Sequence, residues 1–404
     1  MPKISEAYVQ KAKRYIDALC GVKPNRRTGS PGNRAATDFF IETLKPFDYA
    51  LDTAPFPCLD FRDGGARLTC KGQPFEVFVS PYSLGCDAAA GLVTAADVCE
   101  LEECDCRGQI LLMRGDLCAE QLMPKNFVFY NPDHHKLIYS LLEEKQPAAI
   151  VTATSRNPDL VGALYPFPLI EDGDFDIPSV YCTEDTGKDI AARAGEVFHL
   201  ESKAERIPSA AANVLACKNP RAGNKITVCA HIDAYGNSPG ASDNATGAAV
   251  LLLLAEMLDG YKGDAGIELI ALNGEDNYSA AGQMDYLRRY GEETGRISLA
   301  VNIDDVGFIH GRSAFSFYGC PEALQNRAAA VFGRYPSLAA GEPWYQGDHM
   351  IFVQKGVPAL AFTSENVAEL MGGYTHTGRD TPDIVDCRKV AEVAEALGEL
   401  IQAL

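Results

Sequence analysis

The residues best suited to chemistry are two histidines and a set of carboxylates that stand at the ends of apolar runs. KITVCA leads directly into His231-Ile-Asp233, and a two-residue step on a strand puts both side chains on one face. Ten residues on, PGASDNATG places Asp243 in a glycine-rich turn that opens the next helix. GIELIALN ends in Gly274-Glu275-Asp276, SLAVNI ends in Asp304-Asp305, and His376 lies in GGYTHTGRDTPD just before the last helix. Taken singly, a carboxylate after a strand is usually a cap or a turn residue, and a lone histidine is usually a satisfied surface or core group. Together, in order, these sites offer the mixture that a pair of divalent metals about 3.5–4 Å apart requires. One carboxylate bridges the ions, and each ion takes a histidine and a further carboxylate, leaving room for a water.

The elements that must position these groups can be read from periodicity. After Ala212, the runs KITVCAHID, GIELIALNGED, SLAVNIDDVG and ALAFTS have strand length, and helical patterns lie between them at Ala245 to Met257, Pro321 to Phe332 and Asp386 to Leu404. In the last, Val390, Val393, Ala394, Leu397, Leu400 and Ile401 recur at helical spacing. Alternating strands and helices predict an α/β layer structure with a buried sheet, and in such sheets functional groups collect beyond the strand ends. From Ser5 to about Phe47 the pattern is helical, broken by the loop PNRRTGSPGN, after which Ser30 opens a second helix. From about Leu51 to Ile207, short runs (ARLTC, FEVFV, GQILLMRG, AAIVTAT, IPSVYC) with one helix at Pro132 to Glu144 predict a separate β-rich domain.

Composition narrows the function classes. At 404 residues the chain is long enough for two domains, and a net charge of −19 argues against nucleic acid and anionic membrane partners. No run of about 18 apolar residues could span a bilayer. The opening MPKISEAYVQKAKRYIDAL has no apolar secretory core. The thirteen cysteines are an odd number, and with no signal they predict a reducing, cytoplasmic setting. Cys99, Cys104 and Cys106 lack a partner CxxC and read as exposed or half-buried thiols rather than a soft-metal site.

The ordered motifs resemble those of the M28 family of zinc exopeptidases, over Ala212 to Asp386. The resemblance implies an α/β zinc-exopeptidase fold of the phosphorylase/hydrolase-like kind, a mixed sheet between helices, built from residues 1–60 and 208–404. It implies two zinc ions, with Mn or Co as possible occupants of such oxygen-rich sites. His231 and Asp304 would bind one ion, Asp276 and His376 the other, and Asp243 would bridge. Glu275 would be the general base, and Asp233 would hold the His231 imidazole. A cis peptide would join Asp243 to Asn244. Alternation along the strand makes Asp304 and Asp305 exclusive choices, and alignment to the family favours Asp304. Residues 61–207 are similar to the inserted protease-associated (PA) domain of some family members, a β-rich unit expected to narrow access to the site and to supply no ligand.

Two departures stand out. The second acidic residue of the usual Glu-Glu pair is Asp276, and the glycine-rich pattern that usually follows becomes NYSAAGQ, which puts the wall of the substrate pocket in doubt. The resemblance implies an aminopeptidase acting on peptide substrates. Its rivals are a carboxypeptidase, for which Arg312 or Arg379 would clamp the substrate carboxylate, a single-zinc glutaminyl cyclase, and a non-catalytic binding module. His349 in WYQGDHMIF, Trp344 and Tyr374 are pocket candidates. His134 and His135 read as solvated, and His199 and His310 carry no assignment.

Overall fold

A computed structural model of the chain describes residues 2, 4–157 and 163–404. The chain divides into two compact units, residues 1–58 with 210–404, and residues 59–209.

In the first unit, helices α1 (Glu6–Cys20) and α2 (Pro31–Leu44) precede the short strand β1 (Ala50–Asp52). After the excursion through the second unit come β2 (Val214–Lys218), β3 (Lys225–His231), α3 (Thr246–Met257), β4 (Gly266–Leu272), α4 (Ala281–Tyr290) and β5 (Ile297–Ile303). Then follow β6 (Ser313–Tyr318), α5 (Glu322–Phe332), β7 (Leu338–Ala340), α6 (Met350–Val353), β8 (Ala359–Ser364), α7 (Val367–Gly373) and α8 (Cys387–Ala403). The strands form one eight-stranded sheet in the order β1-β2-β4-β3-β5-β8-β6-β7. β4, β3, β5 and β8 are mutually parallel; β2 runs antiparallel to both of its neighbours, and β6 runs antiparallel to β8 but parallel to β7. Every residue of β3 and of β4 is buried, which is why both read as largely apolar runs rather than alternating ones, and their charged exceptions Lys225 and Glu268 pair with each other at 2.8 Å.

The connection leaves β3 for β4 on one side and returns past β3 to β5 on the other. This reversal opens a crevice at the carboxyl ends of those strands, the place where open α/β sheets bind ligands. Two helices fix the strands from behind. α3 is apolar all round and its residues 246–255 are buried, as expected of a helix with no solvent face. α8 presents Val390, Val393, Ala394, Leu397, Leu400 and Ile401 to the same core, all at most 1 % exposed. Ser30 caps α2 by accepting from the Asn33 N–H at 3.0 Å, with Pro31 in the first turn. Gly247 lets the start of α3 touch the strand ends, since a Cβ there would lie 2.4 Å from the Ile303 carbonyl oxygen and 2.9 Å from the Ala230 Cβ.

The second unit also holds an eight-stranded sheet, with a parallel run through residues 86–95, 110–113, 149–154 and 179–183 and apolar cores at Leu111, Met113 and Ile150 and at Leu112, Val151 and Phe198. Here the sequence reading needs four corrections, the first being that helices at Val98–Glu103 and Glu184–Ala191 accompany the one expected at Pro132 to Glu144. FEVFV is not one strand: residues 73–75 pair with 66–70, whereas 78–79 pair with 179–183. Cys106 is buried, although Cys99 is exposed and Cys104 half-buried. His135 is buried at 2 % exposure, because its Nδ1 accepts the Met123 N–H at 3.0 Å and its ring turns inward; only His134 is exposed.

Candidate metal centre

The crevice gathers the histidines and carboxylates singled out by the sequence. His231 ends β3, Glu275 and Asp276 follow β4, and Asp304 follows β5, so three neighbouring parallel strands deliver them to one place. Asp243 comes from the 241–245 turn before α3, whose helical path is broken at Asp243 and Asn244. The Asp243–Asn244 peptide is cis. His376 lies beyond α7 with φ +62, a left-handed conformation that costs a non-glycine residue of order 1–3 kcal/mol.

Asp243 faces both imidazoles. Its Oδ1 is 3.1 Å from His231 Nε2, and its Oδ2 is 3.2 Å from His376 Nε2. Asp304 Oδ1 is 3.5 Å from His231 Nε2, and Asp276 Oδ1 is 3.1 Å from His376 Nε2. Two ligand atoms, each ~2.0–2.1 Å from a tetrahedral zinc, stand roughly 3.3 Å apart, so these separations suit shared coordination. Both ring nitrogens of His231, Asp276 Oδ2 and Asp304 Oδ1 are buried with no hydrogen-bonding partner among the described residues. Donor atoms that crowd together without bonding one another fit residues that converge on cations. His231, Asp243 and Asp276 alone form a three-ligand group.

The electrostatics agree. Burial pushes the Asp304, Asp305 and Glu275 carboxyls up, and neighbouring carboxylates push them further; Asp276 rises to about 6 by burial and the Asp243 charge. Burial opposes charge on His231 and His376, yet the surrounding aspartates outweigh it and raise both well above the ordinary imidazole value. Burial would also raise Asp243, but the two imidazoles reverse this and hold it low. Such a site gains from concentrated positive charge.

Asp233 organises the centre without facing it. Its Oδ1 accepts the Gly274 N–H at 2.8 Å and lies 3.6 Å from His231 Nδ1; its Oδ2 accepts from Asn277 Nδ2 at 2.7 Å, Thr28 Oγ1 at 3.2 Å and the Asp276 N–H at 3.3 Å. A proton on Nδ1 directed at Asp233 leaves Nε2, the nitrogen that faces Asp243 and Asp304, with its lone pair free. Glu275 is half-buried, and its carboxylate has no hydrogen bond among the described residues. Asp305, with φ +57, turns its carboxylate to Ser242 Oγ at 2.9 Å, away from the imidazoles.

Several contributors escaped the sequence reading. Asp380 accepts the N–H groups of Ser242 at 2.8 Å and Asp243 at 3.1 Å, tying the bridging turn to the His376 loop. Thr28, Asn33 and Arg26 belong to a loop that looked like a mere helix breaker; Asn33 Nδ2 reaches Asn273 Oδ1 at 2.5 Å. Tyr235 stacks on His376, with ring centroids 4.5 Å apart. The only sequence signal for any of these was a polar residue in a tight loop.

The remaining candidates fall outside the ligand set. His349 Nε2 donates to the Trp344 carbonyl at 3.0 Å, and burial lowers the imidazole to about 4, so it is a neutral anchor for the 341–349 loop. Its neighbour Asp348, raised by burial to about 7, accepts from Gln283 Nε2 at 2.6 Å. Trp344 packs edge-on against His349, and Tyr374 packs on Phe308. Arg312 is exposed and bound to Glu365, and the Arg379 guanidinium lies over the Tyr374 ring. His199 pairs with Asp87, and His310 with Glu369. Glu120, His134 and His135 in the second unit also cluster. Because His135 Nδ1 is an acceptor, its proton sits on Nε2 and points at Glu120, so that nitrogen cannot ligate a metal.

The fold and site together define an α/β domain with a buried centre of two histidines linked by one carboxylate at the switch point of its sheet. Residues 213–401 match peptidase family M28, and this stretch is an M28 peptidase domain. The chain is 23 % identical over 291 residues to the probable lipoprotein aminopeptidase LpqL of Mycobacterium tuberculosis, an overlap covering 69 % of this chain and 54 % of that one. The aminopeptidase YwaD of Bacillus subtilis is 23 % identical over 235 residues, 56 % of this chain and 50 % of that one, so the chain spans about half the length of each relative. The crystal structure of BSAP, a zinc aminopeptidase from Bacillus subtilis, superposes with a TM-score of 0.75 at 17 % identity, covering 97 % of this chain and 94 % of that one. A glutaminyl cyclase from Fimbriiglobus ruber gives 0.55 at 14 % identity, with 100 % and 98 % covered.

The NYSAAGQ departure has a local cost. Ala280, just before α4, has φ +45, where a Cβ is strained and glycine is not. Ala280→Gly should raise stability by about 0.5–1 kcal/mol, after the added entropy of the unfolded chain is subtracted. Denaturant unfolding checks this, and a lower midpoint would show that the alanine side chain has a packing role.

Proposed function

We propose that this chain is a metal-dependent aminopeptidase that uses two zinc ions. The observation that carries the reading is Asp243, whose two oxygens face two different imidazoles. His231 and Asp304 would hold one ion, His376 and Asp276 the other, and Asp243 both. Mn or Co could replace zinc in so oxygen-rich a site. Bound ions would supply a water of lowered pKa and stabilise negative charge on the scissile carbonyl oxygen. Glu275, half-buried beside Asp276 with an unengaged carboxylate, would take the proton from the attacking water and return it to the leaving amine. Asp233 keeps the His231 ring in the tautomer that ligation needs.

The proposed substrates are peptides with a free α-amino group, whose cation suits the acidic surroundings of Glu275. A carboxypeptidase would need a cationic clamp, and Arg312 is already committed to Glu365. The looser superposition on the cyclase makes single-zinc cyclisation the weaker alternative. Thirteen cysteines, none of them in a disulfide, support a reducing compartment, and we propose the cytoplasm. No helix among the described residues is long and apolar enough to cross a membrane. Residues 59–209 are proposed as a protease-associated-like unit that supplies no ligand.

Purified protein should contain close to two zinc ions, and Asp243→Ala should lose both, because it is the one shared ligand. Metal analysis decides, and a variant that kept two ions would end the bridging assignment. Glu275→Gln should leave metal content unchanged and reduce turnover by roughly 10²–10⁴-fold. Undiminished turnover would pass the proton-transfer role to another group. The direction of cleavage is tested with one peptide in free, N-acetylated and C-amidated forms. Acetylation should lower kcat/KM at least ~100-fold, about 2.7 kcal/mol of transition-state binding, and amidation should have little effect. The reverse pattern would make the enzyme a carboxypeptidase.

A further inference from the structure

Arg26 is among the most deeply buried large side chains of the protein, with 2 % of its surface exposed, and it neither ligates nor reaches the centre. Its guanidinium donates from Nε to the Ile232 carbonyl at 3.0 Å, from Nη1 to the Pro239 carbonyl at 2.5 Å, and from Nη2 to the Gly240 carbonyl at 2.8 Å. These carbonyls flank the two ends of one segment. Ile232 follows the ligand His231, and Gly240 precedes the turn that carries Asp243. One planar fork therefore spans the loop between the first ligand and the bridging carboxylate.

Two features separate this from ordinary loop packing. Among the described residues no carboxylate lies within ion-pair distance of Arg26, so a full charge is buried against neutral carbonyls and the Cys20 thiol, with Asp380 acting on it only through space. Burying a charge this way costs several kcal/mol before its hydrogen bonds are counted, and an apolar side chain would avoid that cost. The loop is also shaped to the guanidinium. Gly240 has φ +60, and a Cβ there would lie 2.8 Å from Arg26 Nη2, 2.6 Å from the Ala234 Cβ and 2.5 Å from the Asp243 carbonyl oxygen. The backbone comes so close to the fork that no side chain fits.

We propose that Arg26 is a positioning residue for the metal centre, its guanidinium setting the path of residues 232–240 and through them the placement of Asp243 relative to His231. The inference rests on the metallopeptidase reading. Lysine carries the same charge but not the rigid fork, and one ammonium cannot reach carbonyls at both ends of the segment along fixed directions. Charge and geometry are therefore separable by Arg26→Lys, and Arg26→Ala leaves a cleft that free guanidinium ion can enter.

The test measures zinc affinity by competition with a chromophoric chelator, together with kcat and KM, on the full chain at a temperature where circular dichroism shows each protein folded. Arg26→Lys should bind zinc ~10–100-fold more weakly, the range seen when a supporting partner of a metal site is lost. Its kcat at saturating zinc should fall while KM stays near the parent value. Low, non-denaturing guanidinium chloride should restore zinc affinity to Arg26→Ala, and urea at the same concentration should not. If the alanine variant does not fold, the lysine variant decides. Zinc affinity and kcat in folded Arg26→Lys equal to the parent would overturn the proposal, as would a folded Arg26→Ala that guanidinium leaves unchanged. A parent protein that binds no zinc would instead overturn the metallopeptidase reading.

Discussion

The first unit is organised around a concentration of negative charge that protein groups alone leave under-compensated. Asp243, Glu275, Asp276, Asp304 and Asp305 converge beyond the ends of β3, β4 and β5, and three of them, Asp243, Asp276 and Asp304, face two imidazoles. Desolvation raises most of these carboxyls, and mutual repulsion raises them further, so the protein groups alone are held together against their own electrostatics. The holding force is the core behind it. β3 and β4 are buried along their whole lengths, α3 is buried on every face, and Gly247 lets that helix sit directly on the strand ends. Burying a Leu or Val side chain contributes about 1.5–3 kcal/mol, and many such residues oppose the cost of one polar cluster.

Held strands still leave mobile loops, and here hydrogen bonds take over. Three loop-to-loop ties enclose the centre. Asp233 binds the loop after β4, Asp380 binds the turn before α3, and Asn244 Nδ2 reaches the Ile303 carbonyl at 2.8 Å beside Asp304. Each tie uses a buried acceptor or amide that would cost about 1–3 kcal/mol if left unmatched, so the ties tend to persist or fail together. The loop of residues 24–33 contributes from below, through Arg26, Thr28 and Asn33. An element near the start of the chain thus completes a cluster whose histidines and carboxylates all come from residues 231–376.

How much of this could be read in advance depended on the range of the interaction. The strands leading to His231, Glu275 and Asp304 were legible because a buried parallel strand advertises itself as an apolar run, and the chemistry begins where the run stops. Alternation made Asp304 and Asp305 exclusive, and the structure turns only Asp304 toward His231. Strand pairing was less visible: FEVFV has β composition throughout, yet its two halves join opposite edges of one sheet. His135 looked solvated because helix-start polar residues usually are, and only a backbone N–H twelve residues upstream draws its ring inward. Arg26 was the least legible. Proline, asparagine, glycine and serine around it are strong local breakers, and a local rule cannot reveal that the arginine between them meets carbonyls more than two hundred residues away.

That separation also bears on why residues 59–209 can interrupt the first unit at all. The interruption falls between β1 and β2, which pair antiparallel at the edge of the sheet, with Ala50 opposite Cys217 and Asp52 opposite Leu215. Once those strands pair, the departure and return points of the chain are neighbours, whatever lies between them. A long insertion with its own core then adds little closure entropy, because that cost grows only with the logarithm of loop length and a folded insertion shortens the effective loop. The strands β4, β3 and β5, which lead to the histidine–carboxylate cluster, are inner members of the sheet, screened from the edge by β1 and β2 on that side. Tolerance at the edge and precision at the centre are two consequences of one strand order.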